Sequence, residues 1–299
     1  MLDKAIQNFF NSLKLFEKLG KKKGVANTFN NIGLIMMEQD RNAEALIYQM
    51  KGLKIREELN DDSGINDSRL NIAINLWEQE NFDSSASYFK KAIPFYQRTS
   101  NHYALGTAYN GLAMVLMSVR EYDSSLFYFD KAIQEHLLVE NNSKAASSLL
   151  NKATLFNELG QIDNELNTLL RARSLLSDGS SLKVLWKTLF QLAEVYRRKG
   201  QYQLAAELYQ EAYYTKDSVF TLERDEKIEQ IKVQYETEKK EKELLFEKAE
   251  NERLQKEKAE SEIKIYNRNK WIIGLGSVSL IVILFILFIS QRNKRKAQA

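Results

Sequence analysis

The sequence predicts an all-α chain: a stacked helical-hairpin solenoid, then a long helical stalk and one transmembrane helix. Three observations carry this expectation. The first is a forty-residue period. Ala5, Ala45, Ser85, Ser125, Glu165 and Ala205 form one series; Ser12, Gly52, Ala92, Ala132, Ala172 and Ala212 form another; Gly33, Ala73, Ala113, Ala153 and Ala193 form a third. A fixed period of this size marks a repeat array in which no unit buries its apolar face alone. The second is residues 221–270, dense in Glu and Lys and without Gly or Pro. The third is residues 271–290, which carry no charge.

Composition narrows the function classes. With 43 Lys and Arg against 40 Asp and Glu, the charge is close to balance and does not point to nucleic acid as a partner. There is no cysteine, hence no disulfide, no thiol nucleophile and no Cys-based metal site. Pro94 is the one proline, and the abundance of good helix formers favours helix throughout. The two histidines, His102 and His136, have no ligand-spaced companion and read as surface or interface residues. No phosphate-cradling glycine loop or nucleophile elbow is visible. A non-enzyme without a cofactor or metal is expected.

Each unit reads as two amphipathic helices. Phe29, Ile32, Gly33 and Met36 share one stripe of the first helix of the second unit, predicted over residues 24–39. Its small residue lets two helix axes approach closely. The second helices open after polar turns such as Gln39-Asp40-Arg41 and Gly200-Gln201, and residues 60–64 and 177–181 read as loops between units. The recurring Tyr and Phe positions, including Phe89, Phe129 and Tyr209, read as core. The first unit supplies only its second helix, Leu2 to Leu19, which suggests a chain whose earlier repeats are missing.

Segments such as Tyr122-Asp123-Ser124-Ser125-Leu126-Phe127-Tyr128-Phe129-Asp130-Lys131-Ala132-Ile133 and residues 200–212 closely resemble the tetratricopeptide repeat. The resemblance spans residues 1 to about 216 and implies a lengthened form of the usual thirty-four-residue unit. It also implies that the first helices line a concave groove holding a peptide or protein, often through asparagine. The matching register gives Asn31, Asn71, Gly111, Asn151 and Gln191, with Asn27, Asn30, Asp67, Trp77, Asn110 and Arg197 beside it. The candidate ligand groove is therefore Asn27, Asn31, Asn71, Asn110, Asn151, Gln191 and Arg197. Amides suit an extended peptide because they donate and accept together.

The domains expected are a solenoid of a half repeat plus five full repeats (1–220), a stalk (221–270), a transmembrane helix (271–290) and a basic tail (291–299). The stalk has fourteen acidic and thirteen basic residues, the pattern of an exposed helix laced by i,i+4 pairs. A heptad register through Ile228, Ile231, Tyr235, Leu245, Ala249, Ala259, Ile263 and Tyr266 suggests a marginal coiled coil and a homodimer. Twenty helical residues rise about 30 Å, the thickness of a hydrocarbon core. Residues 233–243, set between repeats and span, are similar to the linker of Bacteroidetes membrane histidine kinases and transcription regulators. That resemblance implies a sensory input region, with periplasmic repeats and a cytoplasmic C-terminus in the bacterial inner membrane. Arg292, Lys294, Arg295 and Lys296 after the span agree with this orientation. The competing expectation is a tail-anchored adaptor that scaffolds cytoplasmic partners.

Overall fold

A computed structural model describes residues 2–176 and 181–297. All regular structure among them is helical: α1 (Leu2–Lys18), α2 (Lys22–Glu38), α3 (Asn42–Glu58), α4 (Asp62–Glu78), α5 (Phe82–Arg98), α6 (His102–Ser118), α7 (Tyr122–Leu138), α8 (Asn142–Glu158), α9 (Ile162–Leu175), α10 (Leu182–Arg198) and α11 (Tyr202–Ala297). The contacts divide the chain into two units, Met1–Thr221 and Leu222–Ala299.

Within the first unit the backbone repeats every twenty residues, twice as often as the side-chain pattern. Helices α2 to α8 are each seventeen residues long. Apart from α9 and α10, consecutive helices are joined by three-residue turns whose middle residue is left-handed. Gly20, Asp40, Asn60, Glu80, Ser100, Arg120, Glu140, Gly160 and Gly200 all have φ between 51° and 75°. Each such turn closes as a Schellman motif: Asp40 N–H donates to the Met37 carbonyl and Arg41 N–H to that of Met36. The residue after the left-handed one also starts the next helix, since Ala45 N–H donates to the Arg41 carbonyl. Before α4, α6 and α8 that residue is Asp61, Asn101 or Asn141, whose side chain accepts from the backbone N–H three positions on, as the Ser181 side chain does before α10. Residues 62–64 are consequently the first turn of α4 and not a loop; residues 177–180 lie outside the described residues.

Six of the left-handed positions carry a side chain, a conformation that costs an L-residue about 1–2 kcal/mol. Arg120→Gly and Glu140→Gly are therefore expected to raise stability by about 0.5 kcal/mol each, once glycine's greater freedom in the unfolded chain is deducted. The midpoint of urea unfolding reads this directly.

The small-residue series mark where helices meet most closely. Ala73, Ala113, Ala153 and Ala193 are fully buried, as are Ala45, Ser85 and Ser125. The two serines donate to the carbonyls of Ala73 and Ala113, at 2.7 and 2.8 Å, so the second helix of a unit is tied to the backbone of the first. At Gly33 an added Cβ would lie 3.1 Å from the Ala45 carbonyl, which leaves little space for a side chain. Glu165 departs from this series of Ala and Ser; it is buried, and Arg198 covers it with a 2.6 Å ion pair.

Beyond chain neighbours, α2 touches α4, α4 touches α6, α6 touches α8 and α8 touches α10. Among α3, α5, α7 and α9 no pair brings its backbones so close; second helices meet through side chains, as Tyr88 of α5 reaches Met50 of α3 and Arg173 of α9 pairs with Glu211 of α11. The first helices therefore lie on the inner side of the stack, where neighbouring layers are closest. In the second unit, every residue for which burial is described is exposed. The range Lys240–Leu287 contains a window of mean hydropathy 2.3 with no buried residue, long and apolar enough to cross a membrane.

Candidate functional site

The inner face is defined by amides that pair from one layer to the next. Asn71 Nδ2 donates to Asn30 Oδ1 at 3.0 Å, and Asn151 Nδ2 donates to Asn110 Oδ1 at 3.2 Å. Both pairs span forty-one residues, one repeat plus one position, because side chains on adjacent parallel helices meet slightly out of step. Gln191 continues the series by donating to Thr154 Oγ1 at 3.3 Å. Each asparagine pair keeps one amide oxygen outside its bond, the Asn30 NH₂ also lies outside it, and both amide groups of the Asn110–Asn151 pair donate in addition to Met114 Sδ, at 3.6 and 3.5 Å.

The remaining predicted groove positions fall less uniformly. Asn31 is half-buried on α2. Asn27 is exposed and accepts from Arg56 Nη2 at 2.9 Å. Arg197 is exposed and pairs with Glu194 on its own helix, Nη2 to Oε2 at 2.8 Å. The Arg197 guanidinium and then the Tyr209 hydroxyl hold the Glu194 carboxyl below the usual carboxylate range. The structure thus brings Asn71 to Asn30 and Asn151 to Asn110, whereas Arg197 serves a local ion pair. Asp67 accepts from the Tyr96 hydroxyl at 2.9 Å, and the Trp77 Nε1 is buried without a partner.

Two features escaped sequence reasoning. Arg56, only 6% exposed, bridges layers: Nη1 donates to the Gly64 carbonyl at 2.8 Å and to Ser68 Oγ at 2.7 Å. Burial pushes its guanidinium down, and Asp67 and Asp61 pull it back. The second is a cleft of about 560 Å³ between α10 and the start of α11, lined by Trp186, Phe190, Tyr209, Tyr213, Lys187 and Lys216 among others. Lys216 Nζ lies 5.1 Å from the centre of the Trp186 ring. Phe190 and Tyr213 are 47% and 67% exposed, so the expectation that the recurring aromatics are all core is corrected here. A cation close to an aromatic face was the available signal.

One histidine lies near the surface and the other between layers. His102 Nδ1 meets Glu135 Oε2 at 2.6 Å. His136 is 1% exposed, with its ring against Gly106 and its Nδ1 unpartnered. Burial, and secondarily Lys144, lowers its pKa from 6.5 to about 4. The folded state thus resists a proton that the unfolded chain accepts. Stability is nearly complete above pH 6.5 and is expected to fall by roughly 3 kcal/mol as pH drops to 4. Thermal unfolding across that range should show a shallower pH dependence in His136→Gln. Among the described residues, no group of three His, Cys, Asp or Glu side chains is placed to hold a metal ion.

Comparison with known proteins places the fold. Models of the tetratricopeptide repeat match residues 24–98 and 188–220. A search of the curated proteins gave no match. Among solved structures, BtubC (BKLC) from P. vanneervenii superposes with a TM-score of 0.63 at 17% identity, covering 73% of this chain and 92% of that one. A signal transduction ATPase with a tetratricopeptide repeat sensor from Pyrococcus horikoshii gives 0.61 at 16%, covering 74% and 35%. The apo quorum sensor NprR from B. thuringiensis gives 0.58 at 15%, covering 71% and 60%. At such identities the likeness concerns the fold. Residues 24–98 and 188–220 thus carry tetratricopeptide repeats, and the helices between them continue the same helical-hairpin stack.

Proposed function

We propose that this chain is a membrane-anchored, protein- or peptide-binding repeat domain that forms the sensory input region of a signal-transduction protein. The observation that carries the binding reading is the set of interlayer amide pairs on the inner face, Asn30–Asn71 and Asn110–Asn151. Their remaining donors and acceptors suit the backbone of an extended segment, with Asn27, Asn31, Gln191 and Arg197 at the margins. The sensory reading is supported by solved structures of like fold whose names describe a quorum sensor and a repeat sensor. The exposed apolar stretch 271–290 supplies the anchor, and the charged segment before it would relay a change in helix pairing towards the membrane.

The absence of native cysteine makes single-cysteine chemistry free of background. In a bacterial host, cysteine at exposed Lys90 should react with an impermeant maleimide once the outer membrane is opened, whereas cysteine at Lys296 should need lysis. The reverse pattern would favour the tail-anchored adaptor. Cysteines at Leu245 and Ile263, on the heptad seam, should crosslink between copies in membranes. Their failure to do so would remove the stalk relay and leave groove binding standing.

A further inference from the structure

The aromatic cleft occupies a defined place in the repeat. On α5, Phe89, Ala92, Ile93 and Tyr96 are covered by α6, in one cluster with Ala104, Leu105, Ala108 and Leu112. On α7 the equivalent Ile133 packs with Ala146 and Leu149 of α8. Adding whole periods to the α5 positions gives Tyr209, Ala212, Tyr213 and Lys216 on α11. Ile93 and Ile133 are 9% and 2% exposed, but Tyr213 at the same register is 67% exposed. The backbone diverges here too: Phe220, where the period calls for a left-handed turn, is helical. The cleft is therefore the seat that a first-type helix fills in the inner repeats.

An inner seat shows what chemistry this one would accept. Arg56 stands at the register of Lys216, four periods earlier. It is covered by α4, donating to the Gly64 carbonyl and to Ser68 Oγ. A Cβ on Gly64 would lie 2.9 Å from the Arg56 side chain, so a small residue is needed above the cation. Four residues on, the same helix face supplies the oxygen. At the open seat Lys187 and Lys216 line the cleft and no acidic residue does. A cation buried by an incoming helix must find an oxygen partner.

We infer that the open face of α10 and α11 docks an amphipathic helix of a partner protein, with a small residue and, four positions later, a hydroxyl or carboxylate facing Lys216. This site is separate from the inner-face groove and does not depend on it.

The test uses the full chain in detergent micelles and, as probe, a fluorescent synthetic peptide of residues 60–80, which carries α4 with its Gly64 and Ser68. Saturable binding is expected. It should weaken about tenfold or more in Trp186→Ala and in Tyr213→Ala, since buried aromatic anchors dominate such interfaces. A Gly64→Leu probe should lose binding comparably, while Asn71→Ala/Asn151→Ala should leave it unchanged. Tyr213 is largely exposed, and circular dichroism would verify that its variant stays folded. No binding to the wild type, or equal binding to Tyr213→Ala, would overturn the inference. So would sedimentation showing that the chain self-associates through this face and that Tyr213→Ala disperses it, because the occupant would then be a second copy.

Discussion

Arginine at both Leu280 and Ile283 is expected to release the chain from membranes. The two positions lie at the middle of residues 271–290, one helical turn apart, and are 60% and 54% exposed. None of the described residues of the apolar window they belong to is buried. On the proposed anchoring, its apolar surface faces lipid while its backbone groups are satisfied within the helix. Each arginine at the centre of a span opposes insertion by about 2.5–3.5 kcal/mol, so the pair amounts to about 6 kcal/mol, roughly four orders of magnitude in partitioning. Asn269→Arg, beside Arg268 and Lys270, is the matched control and should be neutral. Alkaline extraction of membrane pellets should retain wild type and control and lose the double variant. Equal recovery of all three from the soluble fraction would refute anchoring by this segment.

In the solenoid, Phe89→Ala should cost about 3–5 kcal/mol, the range for a buried aromatic whose site collapses only in part. Phe89 is 1% exposed and sits between layers, its ring against the backbone of Gly111 on α6. A methyl group at Gly111 would collide with that ring. Gly111→Ala is expected to be destabilising by about 2 kcal/mol, overpacking outweighing the gain in helix propensity. Because both changes act on one contact, they should not add. With the ring removed, the methyl has room, and the double variant is expected to recover about 1–2 kcal/mol of the summed loss. Chemical denaturation of the four proteins measures the coupling. Simple additivity would mean that Phe89 and Gly111 do not share the contact described.

Why forty was legible and twenty was not follows from what each helix buries. First helices present the series Gly33, Ala73, Ala113 and second helices the series Ala45, Ser85, Ser125, so residue identity returns only every second helix. The backbone, in contrast, makes the same turn at nine helix ends among the described residues, through Asp40, Asn60, Glu80, Ser100, Arg120 and Glu140 and with glycine at only three of the nine. A left-handed turn written mostly without glycine leaves little trace in sequence, although its following cap does at Asp61, Asn101 and Asn141.

The site shows a related division. Asparagine at Asn31, Asn71 and Asn151 marks the inner face through its register, but the pairing runs to Asn30 and Asn110 one position earlier. That offset belongs to helix stacking and not to spacing along the chain. Recurrence of an aromatic identifies register and says nothing about occupancy. Phe89 and Phe129 are covered by the next layer, while on α11 the cleft at Tyr209 and Tyr213 is open. His136 shares its register with Arg56, Tyr96 and Leu176, a buried series that identifies it as an interlayer residue once the period is applied.

The most direct test of the inner face as a binding surface is affinity selection. Random peptides would be selected on the full chain in lipid nanodiscs and then titrated against variants. Asn71→Ala/Asn151→Ala should weaken the selected peptides about tenfold, from lost amide hydrogen bonds. Lys90→Ala, exposed on the second helix α5, should bind them as wild type does. Peptides that bind all three proteins equally would contradict an inner-face binding site.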